Sequence, residues 1–242
     1  MCTVTFIPAD GKVFLVSNRD EKHSRADALS PMVYAASSGK LLYPKDGEAG
    51  GTWIALHESG NAAVLLNGGW EIHTPDPPYR KSRGLILLDI IQAGSPVSSF
   101  LSIDLLNIEP FTVVCLDNGK LWEGVWDGKN RHLSGKDETR PHIWSSVTLY
   151  DTDIRARREG WFREWLIKYN DPLLKDILDF HQFTGDGDKQ NDLLMNRNDH
   201  LYTVSITGME IGKNKGKMLY NDLRNYGQFR SAMMFSSFPA TL

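Results

Sequence analysis

The chain has 242 residues, 41% of them hydrophobic and 24% charged, with 27 Lys+Arg against 30 Asp+Glu and a formal net charge of -3. These are the proportions of a water-soluble globular chain, and they exclude a disordered one, which lacks the apolar fraction to offset its ordering entropy. The near balance of charge excludes a nucleic-acid partner held mainly by electrostatics, and apolar runs such as Leu85–Ile91 are too short to span a bilayer.

Thr3–Ile7 alternates, Asp10-Gly11 supplies turn chemistry, and Lys12–Ser17 returns, so a hairpin is predicted at the start. Its second strand runs into the polar cluster Asn18-Arg19-Asp20-Glu21. A second strand pair is predicted at Gly51–His57 and Asn61–Asn67, followed by a loop through Pro75, Pro77 and Pro78. Helices are predicted over Arg83–Gln92, with Gly94 as C-cap, and from Ser95-Pro96 through Leu101. Phe111–Leu116 and Lys120–Trp126 flank the turn Asp117-Asn118-Gly119. Helices follow at Asp153–Tyr169 and Pro172–Phe180, then a loop over Gly185–Asn198, then strands at Leu201–Ile211 and Lys217–Asp222. The tail from Tyr226, with Phe229, Met233, Met234, Phe235 and Phe238, is expected to pack back on the body or on a partner. Paired strands alternating with paired helices argue for antiparallel sheets covered by helices, in one domain over residues 1–242.

Of the two cysteines, Cys2 and Cys115, neither belongs to a disulfide framework. The start Met1-Cys2-Thr3 has no basic n-region or apolar h-region, so a cytoplasmic, reducing setting is the expectation. Removal of Met1 would leave Cys2 with both a thiol and a free α-amino group, whose pKa of about 8 suits a base at neutral pH. Asp20 is placed to accept a hydrogen bond from either group, and Arg19 to depress the thiol pKa and hold a substrate carboxylate. A Cys that is an accident of the terminus, and a tetrapeptide that is a solvated loop, are the plain alternatives.

Met1-Cys2-Thr3 followed by Ser17-Asn18-Arg19-Asp20-Glu21 resembles the NRDE family, the transport-and-Golgi-organisation-2-like proteins named for that tetrapeptide. Gly51-Thr52-Trp53-Ile54-Ala55 and Gly60-Asn61-Ala62-Ala63-Val64-Leu65-Leu66-Asn67 extend the likeness. That family in turn resembles N-terminal nucleophile hydrolases of the choloylglycine and penicillin acylase type. The resemblance implies an α+β fold, a four-layer αββα sandwich of antiparallel sheets. It implies hydrolysis of linear or cyclic non-peptide amide bonds, with Cys2 as nucleophile and base, Arg19 and Asp20 as the supporting pair, and Asn67 as oxyanion donor. Asn18, Glu21 and Trp53 would contact substrate. Two departures stand out. Trp144-Ser145-Ser146 replaces the family's Leu-Ser-Asn, leaving Ser146 where an oxyanion Asn is expected. Thr203-Val204-Ser205-Ile206-Thr207 lacks the Arg of the usual Thr-Arg-Ser-Ser-Thr, with Arg224 as its replacement or none. Losing an oxyanion donor costs several kcal/mol of transition-state stabilisation.

No cofactor is implied by this chemistry. The alternative is a non-catalytic carrier of a hydrophobic small molecule such as haem or lipid, though no haem-binding signature is present. Partners are accordingly a small-molecule amide substrate or a hydrophobic ligand, no nucleic acid and no membrane span, with a homo-oligomer left open. The seven His residues show no metal-ligand spacing. Gly185-Asp186-Gly187-Asp188 with Asp192 resembles a calcium loop but has Asn191 where the central Gly is required, so a solvated loop is expected. Gly212-Lys213-Asn214-Lys215-Gly216-Lys217 reads as a hairpin turn rather than a phosphate loop.

Overall fold

The computed structural model describes residues 3–236. In chain order these form β1 (Thr3–Ala9), β2 (Lys12–Lys22), β3 (Leu29–Ala36), β4 (Gly39–Lys45), β5 (Ile54–His57), β6 (Ala62–Asn67), α1 (Arg83–Ile91) and α2 (Pro96–Ser102). They continue with β7 (Phe111–Asp117), β8 (Lys120–Trp126), β9 (Arg131–Lys136), β10 (His142–Ser145), α3 (Thr152–Lys168) and α4 (Leu174–Phe183). The last elements are β11 (Asn196–Arg197), β12 (Leu201–Ile211), β13 (Lys215–Asp222) and β14 (Gly227–Met234).

The strands make two sheets, one ordered β10-β1-β2-β12-β13-β14 with β11 beside β12, the other β3-β4-β5-β6-β7-β8-β9. Side chains alternate across a strand, so each sheet has two faces to cover. Val4, Phe6, Val13, Leu15, Met209 and Met218 of the first sheet meet Leu42, Ile54, Leu56, Val64, Leu66 and Val114 of the second in one buried cluster. The opposite face of the first sheet, with Ile7, Phe14, Val16 and Ile206, packs under Phe162 of α3 and Ile177, Leu178 and Phe180 of α4. The opposite face of the second, with Ala63, Leu65, Val113 and Cys115, packs under Ile86, Leu87, Ile90 and Ile91 of α1 and Phe100 of α2. The layers therefore run helix, sheet, sheet, helix, as the resemblance implied. Full burial contributes roughly 1.5–3 kcal/mol per large apolar side chain, so these three clusters supply most of the driving force.

The predicted hairpins and helices are present, but the structure adds strands that the pattern did not reveal: β3, β4, β9, β10, β11 and β14. The apparent tail is strand β14, paired with β13 from Lys215↔Met234 to Asp222↔Gly227. Met233 is buried and Phe235 packs on the inter-sheet core, while Phe238 lies outside the described residues. β2 also differs: it does not end at Ser17 but stays extended and buried through Asp20.

Helix α1 sits unusually close to the strand connection below it. A Cβ on Gly51 would lie 2.4 Å from the carbonyl carbon of Gly84 and 2.6 Å from the amide nitrogen of Leu85. The Thr52 amide donates to the Gly84 carbonyl at 3.1 Å across the same contact. Gly51→Ala is expected to push α1 off the sheet and cost about 1–3 kcal/mol. Gly160→Ala, mid-helix in α3 with nothing within 4 Å of its Cβ, is expected to add up to about 1 kcal/mol. Urea midpoints at constant slope check both signs.

Candidate functional site

The inter-sheet face changes character along β2 and β12. From one end β2 presents Val13 and Leu15, then Ser17 and Arg19. β12, antiparallel to it, presents Ile211 and Met209, then Thr207 and Ser205. Ser17 is paired with Thr207 and Arg19 with Ser205. An apolar face thus ends in a buried polar patch, at the end of the sheet where β1 begins.

Arg19 is 4% exposed, and a guanidinium so placed is tolerable only when paired. Its Nη2 donates to Asp46 Oδ2 at 2.6 Å, its guanidinium carbon lies 4.8 Å from the centre of the Trp53 ring, and Glu21 Oε2 is 3.6 Å away. Asp46 is fixed by its own loop: its Oδ1 accepts from the amides of Glu48 at 3.2 Å and Ala49 at 2.7 Å, the Asx-turn geometry of a short polar side chain. Arg25 Nη2 adds a contact to the same oxygen at 2.9 Å. Burial alone would raise the Asp46 pKa, but the Ala49 amide and the two guanidiniums outweigh it and hold the carboxyl below its usual range. Beside Arg19, burial raises the pKa of the Tyr220 phenol. Trp53 Nε1 and Thr207 Oγ1 are buried with no hydrogen-bond partner among the described residues.

Because β2 continues as a strand, its polar tetrapeptide is divided between two faces. Arg19 and Glu21 lie between the sheets. Asp20 faces the helix layer, where its Oδ2 accepts from the Tyr150 hydroxyl at 3.0 Å and its Oδ1 from Thr203 Oγ1 at 2.6 Å. Asn18 points the same way and is consumed there. Its amide nitrogen donates to the carbonyls of His181 at 3.2 Å and Leu193 at 2.7 Å, leaving its oxygen to accept from His181 Nδ1 at 2.6 Å. That assignment puts the proton on Nδ1, so Nε2 accepts from the Thr5 hydroxyl at 2.8 Å. Asn18 is fully buried, and the structure does not bring it together with Arg19 and Trp53.

Asn67 ends β6 and Gly68 follows at φ +89°, where a Cβ would strike Thr148 Cγ2 at 2.7 Å. Glycine therefore lets the Asn67 turn sit against residues 146–148. Ser146 Oγ donates to the Asn67 carbonyl at 2.8 Å and exchanges a hydrogen bond with Thr148 Oγ1 at 2.9 Å. Asn67 and Ser146 line a cavity of about 140 Å³ together with Trp70, Thr112, Glu123 and Trp144. Thr3 is paired with Asn18 on one side and Ser145 on the other. Cys2, the residue before Thr3, lies outside the described residues.

Arg224 and Val204 line one small recess with Arg19 and Tyr220. The Arg224 guanidinium is engaged by Tyr202 Oη at 3.0 Å, Asp27 at 2.7 Å and the Arg25 carbonyl at 2.8 Å. In the aspartate-rich loop, Arg157 bridges Asp186 at 3.1 Å and Asp188 at 3.0 Å, so both carboxylates are paired with a guanidinium. Among the described residues no group of three His, Cys, Asp or Glu could hold a metal ion, and no helix is long and apolar enough to cross a membrane.

The layer order and antiparallel sheets define the N-terminal nucleophile hydrolase fold. Variants of the conjugated bile acid hydrolase from Clostridium perfringens share it. One, with a Cys replaced by Ala, has a TM-score of 0.60 at 13% identity and covers 98% of this chain and 97% of its own. Another, with an Arg replaced by Leu, has a TM-score of 0.61 at 12% identity, covering 100% and 98%. The Caenorhabditis elegans ortholog of N-acylethanolamine-hydrolyzing acid amidase has a TM-score of 0.58 at 10% identity, covering 86% and 92%. Comparison with curated proteins finds no match. The chain belongs to the Transport and Golgi organisation 2 family, whose profile matches residues 1–157.

His181 is fully buried, and burial, with the Arg158 charge nearby, depresses its pKa to about 3. Its unfolded pKa is about 6.5, so below that pH the unfolded chain takes up a proton that the folded one refuses. Stability is therefore full above about pH 6.5 and is lost as pH falls toward 3, at up to about 1.4 kcal/mol per pH unit from this group. His181→Gln is expected to flatten that slope between pH 6 and 4 relative to the wild type, as read from urea unfolding at each pH.

Proposed function

We propose that the chain hydrolyses linear or cyclic non-peptide amide bonds, with Cys2 as N-terminal nucleophile once Met1 is removed. The observation that carries this reading is the buried polar end of the inter-sheet face, where Arg19, held by Asp46 and Trp53, follows the register partner of Thr3. The fold likeness to a conjugated bile acid hydrolase and an N-acylethanolamine-hydrolyzing acid amidase supports it.

In this reading the Cys2 thiol gives its proton to the freed α-amino group and attacks the amide carbonyl as thiolate. Asn67 stabilises the resulting oxyanion. The carbon–nitrogen bond breaks, the leaving amine takes the ammonium proton, and a thioester remains. Water, deprotonated by the α-amino group, adds to the thioester, and collapse releases the acid and restores the thiol. Arg19 lowers the thiol pKa and attracts an anionic part of the substrate, while Asp20 supports the α-ammonium. Glu21 and Trp53, on the Arg19 face, contact the substrate. Asn18 has no free polar atom for that role. Ser146, donating to the Asn67 carbonyl, holds the oxyanion donor's backbone in place. The chemistry needs no cofactor and suits a small substrate in the cytoplasm.

Cys115 is the internal control: burial pushes its thiol pKa up, so it stays protonated and slow. Intact mass is expected to show loss of Met1 and a single early iodoacetamide adduct at Cys2. Cys2→Ala is expected to abolish both labelling at neutral pH and hydrolysis of N-acyl amides, and Cys115→Ala to leave both nearly unchanged. Retained Met1, or equal labelling of the two thiols, would sink the proposal.

A second reading, binding of haem or a lipid, is favoured by a separate groove of about 660 Å³ between α4 and β13–β14, lined by Leu174, Leu178, Phe183 and Leu219. Haem titration followed by absorbance, and a fluorescent fatty-acyl probe, test it. No change in either signal would remove it.

A further inference from the structure

Arg158 of α3 is fully buried, at 0% accessibility, and its guanidinium reaches the helix-facing side of the first sheet at Thr3. Among the described residues it has no carboxylate partner. Its Nε and Nη2 donate to the Asn191 carbonyl at 3.2 and 3.0 Å, and Nη2 also to the Asp192 carbonyl at 2.7 Å. A guanidinium satisfied by backbone carbonyls keeps its whole charge for its neighbours, and a core needing bulk alone would be served by an apolar residue.

Two further contacts give that charge a direction. Nη1 donates to Thr3 Oγ1 at 2.5 Å, the residue next to Cys2. The guanidinium carbon lies 3.5 Å from the centre of the Tyr150 ring, with the Arg197 guanidinium 5.5 Å from the same ring. A cation over a phenol face draws electron density from the ring and makes its hydroxyl a stronger donor. That hydroxyl donates to Asp20 Oδ2 at 3.0 Å. One buried cation thus reaches both the first strand and the carboxylate of the site. His181 of α4, whose pKa this charge helps to depress, is neutral and adds no charge of its own.

We propose that Arg158 is a positioning residue of the Cys2 site, acting through Thr3 on the start of β1 and through Tyr150 on Asp20. The inference rests on the amide-hydrolase reading. Arg158 touches no substrate. It holds the strand end and orients a carboxylate whose second oxygen is fixed by Thr203.

The test is the pH profile of iodoacetamide labelling at Cys2 in the full chain, with labelling of Cys115 read in the same sample. Tyr150→Phe removes one hydroxyl and keeps the ring. Arg158→Met removes the cation and keeps most of the bulk. Each is expected to move the Cys2 profile by about one pH unit, about tenfold in rate at a fixed pH below the thiol pKa. The double variant is expected to do no more than Arg158→Met alone, because both act on one carboxylate. Cys115 is expected to stay slow throughout. Unshifted profiles in folded variants of a chain whose Cys2 is reactive overturn the positioning role alone. Faster labelling of Cys115 in step with any change at Cys2 marks general loosening and overturns it as well. A wild-type Cys2 no more reactive than Cys115 overturns the hydrolase reading and this inference with it. If Arg158→Met does not fold, Tyr150→Phe decides.

Discussion

The constraint on which this molecule turns is that β2 is buried on both faces. A strand at the middle of a four-layer sandwich has one row of side chains between the sheets and the other under helices. As long as β2 reads Val13, Phe14, Leu15, Val16, both rows are served by the hydrophobic effect. From Ser17 onward the residues are polar, yet the strand does not leave the core, and Asn18, Arg19 and Asp20 remain buried. Each of those groups therefore demands a partner on its own side. Arg19 recruits the Asp46 loop and Trp53 from the opposite sheet. Asp20 recruits Tyr150 and Thr203, and Asn18 recruits His181 and Leu193 from the helix side. Much of the loop architecture around this end of the molecule follows from meeting those demands.

Apart from β4, the central strands were legible from sequence and the edges were not, and the division has a physical cause. β1, β2, β5, β6 and β7 carry alternating or continuous apolar runs closed by Asp-Gly, Ser-Gly or Asn-Gly turns, because both of their faces are covered; β8, β12 and β13 keep enough apolar positions to show as strands as well. The edges of the two sheets are β10, β14, β3 and β9. All four escaped the pattern. Edge strands bury less, as the mixed exposure of β3 and β14 shows, and so their sequences need not alternate. β14 passed for a packed tail for the same reason: its apolar residues are there, without a covered face to impose a period.

The site was legible as a motif and not as geometry. The tetrapeptide at 18–21 drew attention to Arg19 and Asp20, but reading it as one loop constellation put four side chains on one side. A strand's period of two sends them to opposite faces. The partners that give these residues meaning were out of reach, since Asp46 lies 27 positions from Arg19, Tyr150 lies 130 from Asp20 and Arg158 lies 155 from Thr3. Nothing local marks Asp46 as an anion for a buried arginine. Arg158 sits in a run of charges, Arg155-Ala156-Arg157-Arg158-Glu159, that looks uniformly solvated. Only the helix period singles it out as the inward member.

The two buried polar networks meet at the pairing of β1 with β2. Thr3 is bonded by Arg158, Thr5 by His181, and His181 in turn by Asn18, which is the register partner of Thr3. Such networks are a poor means of gaining stability, because desolvating a guanidinium and an imidazole costs about as much as their hydrogen bonds return. They are a good means of fixing geometry, since each bond is directional and a misplaced partner leaves a buried group unsatisfied. Apolar side chains at Thr5, Asn18, Arg158 and His181 would hold the sheet as firmly but would tolerate sliding of β1 against β2. The polar choice removes that freedom at one end of the sheet and leaves the other end to apolar packing. The rigid end is the one that carries Thr3, Arg19 and Asp20.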